Sequence, residues 1–299
     1  VPAGAAFPGR PAKGLEAMSV AMIQDRLDGY GCRSTLEVEQ ALREITQEVV
    51  LASLGRTGFF QKAAFQGGTC LRVFHGTNRF SEDLDFALQG PDASFGLGPY
   101  LDTVADELKA YGYGLEMDDR SKADRAVRMA FLKDDSLGNL LRLDYRPTAG
   151  PHRKLRMKLE VDTSPPAGAA YEMKYLDFPF ASAVCAFDLP SMLAGKMHAL
   201  LCRPYVKGRD WYDFIWFTAR GTPANYRLLS AALAQMGPWK DQSPSVDRDW
   251  CVEQLRARIE AVDWKHAAEE VRRFLKPGEL PSLEIWGREF FLHQAEKLP

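Results

Sequence analysis

The run QGGTCLRVFHGTNRFSEDLDFAL, residues 66–88, limits the possible folds more than any other stretch of the chain. Gly67-Gly68-Thr69 reads as a tight turn. Thr69 to His75 reads as a short helix with Leu71 and Phe74 as its apolar points, and Ser81 to Phe86 alternates as a strand does. Residues two apart share a strand face, so Asp83 and Asp85 point one way while Leu84 and Phe86 enter the core. Adjacent carboxylates repel, and a divalent cation is the simplest reason to keep them together. A glycine turn leading into a helix N-terminus offers backbone N–H groups to a phosphate. Asp-x-Asp alone is common on solvated strands and a Gly-Gly pair is commonly only a turn. The ordered combination is what points to a nucleotide carrying Mg²⁺.

The segment GGTCLRVFHGTNRFSEDLDF, residues 67–86, resembles the AbiEii toxin family, which includes the MenT-type toxins, within the superfamily that shares the polymerase-β nucleotidyltransferase core. The similarity is strong over 65–88 and weaker over about 37–217. Cys70 stands where a small residue such as Ala is common, and His75 where an aromatic is common; neither departure touches the carboxylates. The resemblance implies an α/β protein of the α+β type, a mixed-sheet core followed by a helical C-terminal region. The expected divisions are a flexible leader or expression scar over 1–17 with Met18 as a plausible start, a nucleotidyltransferase core over 18–184, and a helical domain over 185–299.

Further residues enter through the same comparison. In Leu155 to Val161, Leu155, Met157, Leu159 and Val161 share one face and Arg156, Lys158, Glu160 and Asp162 the other. RMKLEVD is similar to the family strand that carries a third carboxylate, which implies Glu160. Asp162 lies on the same face, and Asp144 on the preceding strand is a weaker holder. Lys196 interrupts the apolar stripe of Leu193, Met197 and Leu200, so it either snorkels outward or meets an anion. LAGKMHALL resembles the family's lysine helix, which favours the anion, a triphosphate or a carboxylate of the site. KGRDWYDF resembles the family's K-x-R-D-x-x-D signature. There Asp210 reads either as a helix cap with a salt bridge to Arg209 or as a residue needed for activity that orients Lys196.

The expectation is a nucleotidyltransferase in which Asp83, Asp85 and Glu160 hold Mg²⁺, two ions fitting the need for a third carboxylate. Gly67, Gly68, Thr69 and Ser81 contact the triphosphate of an NTP, and Lys196 neutralises it. By resemblance it is a toxin with a separate antitoxin protein, and its acceptor is RNA, the 3′ end of tRNA. The basic cluster of Arg146, His152, Arg153, Lys154, Arg156 and Lys158 reads as a phosphate-binding surface, with Arg153, Lys154 and Arg156 at its centre, or as a solvated turn. Transfer to a protein hydroxyl and a non-catalytic nucleotide- or antitoxin-binding module are the competing readings.

The rest of the chain sets bounds. Its 299 residues are 46% hydrophobic and 26% charged with a formal net charge of −2, so a packed core is expected and nucleic acid must meet a local patch. Five dispersed cysteines form no disulfide ladder and no zinc motif, which suggests a reducing, cytoplasmic setting. No apolar run suffices to span a membrane. Helices are expected at 35–54, 99–110, 225–236, 249–261, 264–274 and 283–297, with strands at 111–117, 126–132 and 140–145.

Overall fold

The computed structural model describes residues 13–119, 136–147, 152–242 and 244–299. The strand expected over 126–132 and the turn at 148–151 lie outside them. Helix α1 (Lys13–Asp28) starts inside the stretch expected to be a leader. Helix α2 (Thr35–Arg56) follows, with Ser34 at its N-cap accepting from the Glu37 N–H at 3.2 Å. Its buried stripe includes Leu42, Ile45, Val49 and Leu54.

Among the described residues seven strands form one mixed sheet: β1 (Ala63–Gln66), β2 (Leu84–Leu88), β3 (Tyr113–Asp119), β4 (Ser136–Tyr145), β5 (Arg153–Asp162), β6 (Tyr171–Leu176) and β7 (Ser182–Phe187). Their order is β3-β4-β5-β2-β1-β7-β6. The β2–β5 and β1–β7 pairs are parallel, and the other four are antiparallel. Between β1 and β2 lies α3 (Gly67–His75), and between β2 and β3 lies α4 (Gly98–Ala110). Strand β7 crosses the expected boundary at residue 184, so the sheet ends at Phe187.

Alternation along β5 separates the two sheet faces. Leu155, Met157, Leu159 and Val161 are buried, as are Leu84 and Phe86 of β2. The other face carries the polar residues. Strand β2 begins opposite Leu159, so residues 153–158 of β5 run on past its end, paired with β4. Strands β3, β4 and this part of β5 therefore form a three-stranded wing projecting beyond the carboxylates.

The helical region comprises α5 (Leu189–Cys202), α6 (Gly208–Thr218), α7 (Tyr226–Gln235), α8 (Arg248–Glu260), α9 (Trp264–Arg272) and α10 (Arg288–Glu296). Asp188, Asn225, Asp247 and Asp263 cap α5, α7, α8 and α9 through their side chains. The helix expected over 283–297 is shorter: a 3-10 turn over Pro277–Leu283 precedes it, and Gly287, in extended backbone, sets the start of α10. The main apolar core runs from Ile23 through the sheet to Leu298, with a small second cluster of Val271, Leu275 and Leu283. The Phe80 N–H donates to the Phe274 carbonyl at 2.8 Å, joining the loop before β2 to the end of the α9 region.

Candidate active site

The glycines form the first turn of α3 itself, two residues earlier than expected. Gln66 at the N-cap supplies no side-chain bond, so the first backbone N–H groups have no capping acceptor. Gly67 has φ of 79°, in the left-handed region, and a Cβ there would stand 2.7 Å from Asp85 Oδ2. The turn thus lies directly against the carboxylate. A Cβ on Gly68 would stand 2.3 Å from Arg79 Nη2 and 3.0 Å from Ser81 Oγ. Thr69 is buried, and its hydroxyl donates to the Asp83 carbonyl, which ties α3 to the carboxylate loop. The Ser81 carbonyl accepts from Gln47 Nε2 of α2 at 3.1 Å.

Asp83 lies one residue before β2, and Asp85 is its second residue. Asp85 is flanked in register by Gln66 on β1 and Glu160 on β5. Neighbours in register share a face, so Asp85 and Glu160 stand side by side. Asp162 is one step further along, beside Ala87, and Asp144 is out on the wing. Burial, then the charges of Asp83 and Glu160, push Asp85 up to about 6. Burial also raises Asp83, while Lys158, Lys207 and Arg209 pull it down. Lys158 pairs with Glu160, and its charge stabilises the ionised forms of Asp83 and Asp85 as well. An ammonium thus stands in for positive charge that the carboxylates require.

That donor set, all carboxylate oxygen, suits a hard divalent cation such as Mg²⁺. Among the described residues no three acidic, histidine or cysteine side chains close into a finished metal cage, and Glu160 is turned to Lys158. The charge and register fit a cation that displaces this ammonium.

Behind the carboxylates lies a buried ion network. Lys196 Nζ is 3.0 Å from Asp210 Oδ1 and 2.7 Å from Asp213 Oδ2. Arg79 donates to both oxygens of Asp213 at 2.6 Å, and Arg203 pairs with Asp210. Burial works against the charged Lys196, but Asp213 and Asp210 outweigh it and hold the ammonium above its ordinary range. Burial is likewise outweighed at Asp210, where Lys196, Arg203 and Lys207 hold the carboxyl well below the usual range. Asp210 therefore meets Lys196, whereas Arg209 pairs with Glu270 at 3.1 Å and Glu82 at 3.2 Å, not with Asp210. Lys207 and Asp213 belong to the K-x-R-D-x-x-D segment that the sequence marks, without a role being assigned to either, and Arg79 joins the site without having been singled out by the sequence. Arg79 and Asp213 are held together only by the tertiary fold.

Alternation divides the basic trio between the two faces of β5. Lys154 and Arg156 are exposed and share the Glu160 face of β5. Arg153 lies on the opposite face by alternation, and at the start of β5 His152, Arg153 and Lys154 line one recess with Glu39 and Leu42 of α2. Arg142 of β4, in register with Arg156, takes its place on the polar face.

Residues 49–291 match the sequence profile of the family described as nucleotidyl transferase AbiEii toxin, type IV toxin–antitoxin system. No curated protein matches the chain in sequence. Two solved structures from Helicobacter pylori, one described as a candidate nucleotidyltransferase and the other as JHP933, are each 17% identical to it. They have TM-scores of 0.42 and 0.41, and each alignment covers 86% of this chain and 96% and 94% of theirs, respectively. With the profile matched over most of its length, the chain belongs to the AbiEii family, nucleotidyltransferases that act as toxins of type IV toxin–antitoxin systems.

Proposed function

We propose that the protein transfers a nucleoside monophosphate from an NTP to an RNA acceptor, the 3′ end of tRNA, in a Mg²⁺-dependent reaction that blocks translation, and that a separate antitoxin counters it in the cytoplasm. The observation that carries this reading is the register of Asp85 with Glu160, with Asp83 one residue before the strand and the Gly67 turn packed on Asp85. Asp83, Asp85 and Glu160 would hold the metal, which when bound neutralises phosphate charge and orients the α-phosphate. The uncapped N–H groups of Gly67 and Gly68 face the phosphates, and Ser81 stands beside them. Thr69 acts indirectly, by fixing the Asp83 backbone.

The acceptor hydroxyl forms a bond to the α-phosphorus as the bond from that phosphorus to the β-bridging oxygen breaks. Pyrophosphate leaves, and the hydroxyl proton passes to the carboxylate cluster. Positioning and charge neutralisation supply most of the acceleration. Lys196 and Asp210 act from behind, through the buried network that sets the start of α6. Lys154, Arg156 and Arg142 on the wing are the candidate contacts for the acceptor backbone.

A second reading, transfer to a protein hydroxyl, draws on the same wing. Glu116 and Asp144 share its polar face with the arginines, in register with Arg142 and Lys154. That mixture is less one-sided than most phosphate-binding surfaces. Incubation with each labelled NTP, with and without Mg²⁺, in the presence of total tRNA or a protein extract decides the matter. Label in tRNA supports the first reading, label in protein the second, and no labelled macromolecule with any nucleotide defeats both.

A further inference from the structure

An incoming triphosphate needs cations, and most of those near the carboxylates are already engaged. Lys196 is held by two aspartates, Arg79 by Asp213, Arg203 by Asp210, Arg209 by Glu270 and Glu82, and Lys158 by Glu160. Lys207 differs. Its ammonium has no hydrogen-bond or ion-pair partner among the described residues, although the residue is half-buried and its carbonyl accepts from the Asp210 N–H at 3.0 Å. It precedes α6 in extended backbone. The first residue of that helix, Gly208, is pressed so closely on the Ala267 carbonyl that no side chain would fit, which pins the bend carrying Lys207.

Its surroundings point to an anion. Lys207 lines a small recess with Arg203, Tyr205, Asp210 and Arg258. Three cations against one carboxylate leave that recess positive. Burial, and then the neighbouring charges of Arg209, Arg203 and Lys196, lower the ammonium's pKa against the opposing charge of Asp210. On the other side, Lys207 is near enough to Asp83 for its charge to favour the ionised carboxylate. Lys207 therefore lines the recess and is also within electrostatic reach of Asp83. A partly desolvated, unpaired charge is costly unless a ligand completes it.

We propose that Lys207, flanked by Arg203, receives the β- and γ-phosphates of the NTP and the pyrophosphate that leaves, while Lys196 serves as a positioning residue. This rests on the nucleotidyl-transfer reading above. When the bond from the α-phosphorus to the bridging oxygen breaks, its electron pair stays on that oxygen, and the new charge develops on the pyrophosphate held by Lys207. The acceptor oxygen takes the vacated position on phosphorus, and its proton goes to the carboxylate cluster, so atoms and charge balance.

The test is calorimetric titration of wild type, Lys207→Met, Lys207→Arg and the exposed control Lys240→Met with α,β-methylene analogues of the four NTPs and with the matching NMPs. Melting temperatures are recorded in parallel. Lys207→Met is expected to weaken triphosphate binding about tenfold or more, the loss of one charge-assisted hydrogen bond. NMP binding and melting should remain as in wild type, Lys207→Arg should keep most of the affinity, and Lys240→Met should change nothing. Wild-type triphosphate affinity in Lys207→Met overturns the assignment. So does an equal loss of NTP and NMP binding with a lowered melting point, which marks a structural lysine, and so does a loss confined to RNA binding. A wild-type protein that binds no triphosphate overturns both this proposal and the transfer reading.

Discussion

Arg79 and Asp213 grip each other through two N–H···O bonds of 2.6 Å across 134 residues of chain, and both side chains are buried. The pair joins the loop before β2 to the first turns of α6. Because Asp213 also meets Lys196, it is the node through which the carboxylate loop, the lysine helix α5 and α6 hold one another.

Asp213→Asn should accordingly cost much of the fold's stability. It leaves two buried cations facing one amide, and breaking a buried ion pair by removing one partner costs about 3–5 kcal/mol. Chemical denaturation is the measurement. The double variant Arg79→Met with Asp213→Leu removes both charges and is expected to recover part of that loss while transfer activity stays low, because Lys196 loses its second partner. A melt for Asp213→Asn equal to wild type would show that the network contributes nothing.

Asp85 gives a pH-dependent signature. Its folded-state pKa of about 6 lies above the unfolded value, so the native state holds the proton more tightly between those two values. Stability from this group is present at low pH and lost as pH rises through about 6. Asp85→Asn should therefore be more stable than wild type at pH 7, by up to about 2 kcal/mol, with the difference shrinking towards pH 4. It should show no transfer. Mg²⁺ should raise the wild-type melting temperature at pH 7 but not that of Asp85→Asn. An unchanged stability difference between pH 4 and 7 would show that burial and the neighbouring carboxylates do not raise Asp85.

Gly67→Ala tests the packing of the turn on Asp85. The residue has positive φ, and a methyl group would sit 2.7 Å from Asp85 Oδ2, so the turn or the carboxylate must move. Transfer is expected to fall at least tenfold, the consequence of a displacement of about 1 Å at a reacting centre. A loss of about 1–3 kcal/mol in stability should accompany it. Wild-type activity with the alanine in place would show that the turn does not position the site.

What the sequence makes legible follows from periodicity. The β5 alternation and the start of α2 at Ser34 and Thr35 are local patterns, and local patterns survive without knowledge of the fold, whereas the strand expected over Ser81 to Phe86 begins only at Leu84 and leaves Asp83 in the loop before it. Leu155, Met157, Leu159 and Val161 bury as their spacing requires. Contacts made across the fold are another matter. Nothing near Arg79 in the chain announces Asp213. The family signature offers the pairing of Asp210 with Lys196 beside a salt bridge to Arg209, and the packing of α5 on α6 selects Lys196. Thr69 looks like a ligand residue in a glycine turn, yet its hydroxyl is committed to the Asp83 carbonyl. Density of charge along the chain groups Arg153 with Lys154 and Arg156, whereas the strand period sends it to the other face.

That last distinction supplies the test of the acceptor surface. Lys154, Arg156 and Lys158 stand every second residue on one face of β5, about 6.6 Å apart, a spacing that an extended polynucleotide strand could follow towards Glu160. Arg142 adds a charge beside Arg156. Lys158 is left intact because it serves the carboxylates. Replacing Arg142, Lys154 and Arg156 together with alanine should weaken RNA binding and flatten its salt dependence, each lost phosphate contact reducing the log–log slope by about 0.7 for a single strand. NTP binding should stay unchanged, since the triphosphate is assigned to the Gly67 turn and Lys207. Arg153→Ala, on the opposite face, should leave the slope as in wild type. Filter binding between low and moderate salt measures all three proteins. If the triple variant keeps the wild-type slope, the wing does not carry RNA, and if Arg153→Ala alone lowers it, the phosphate path runs on the side of α2 instead.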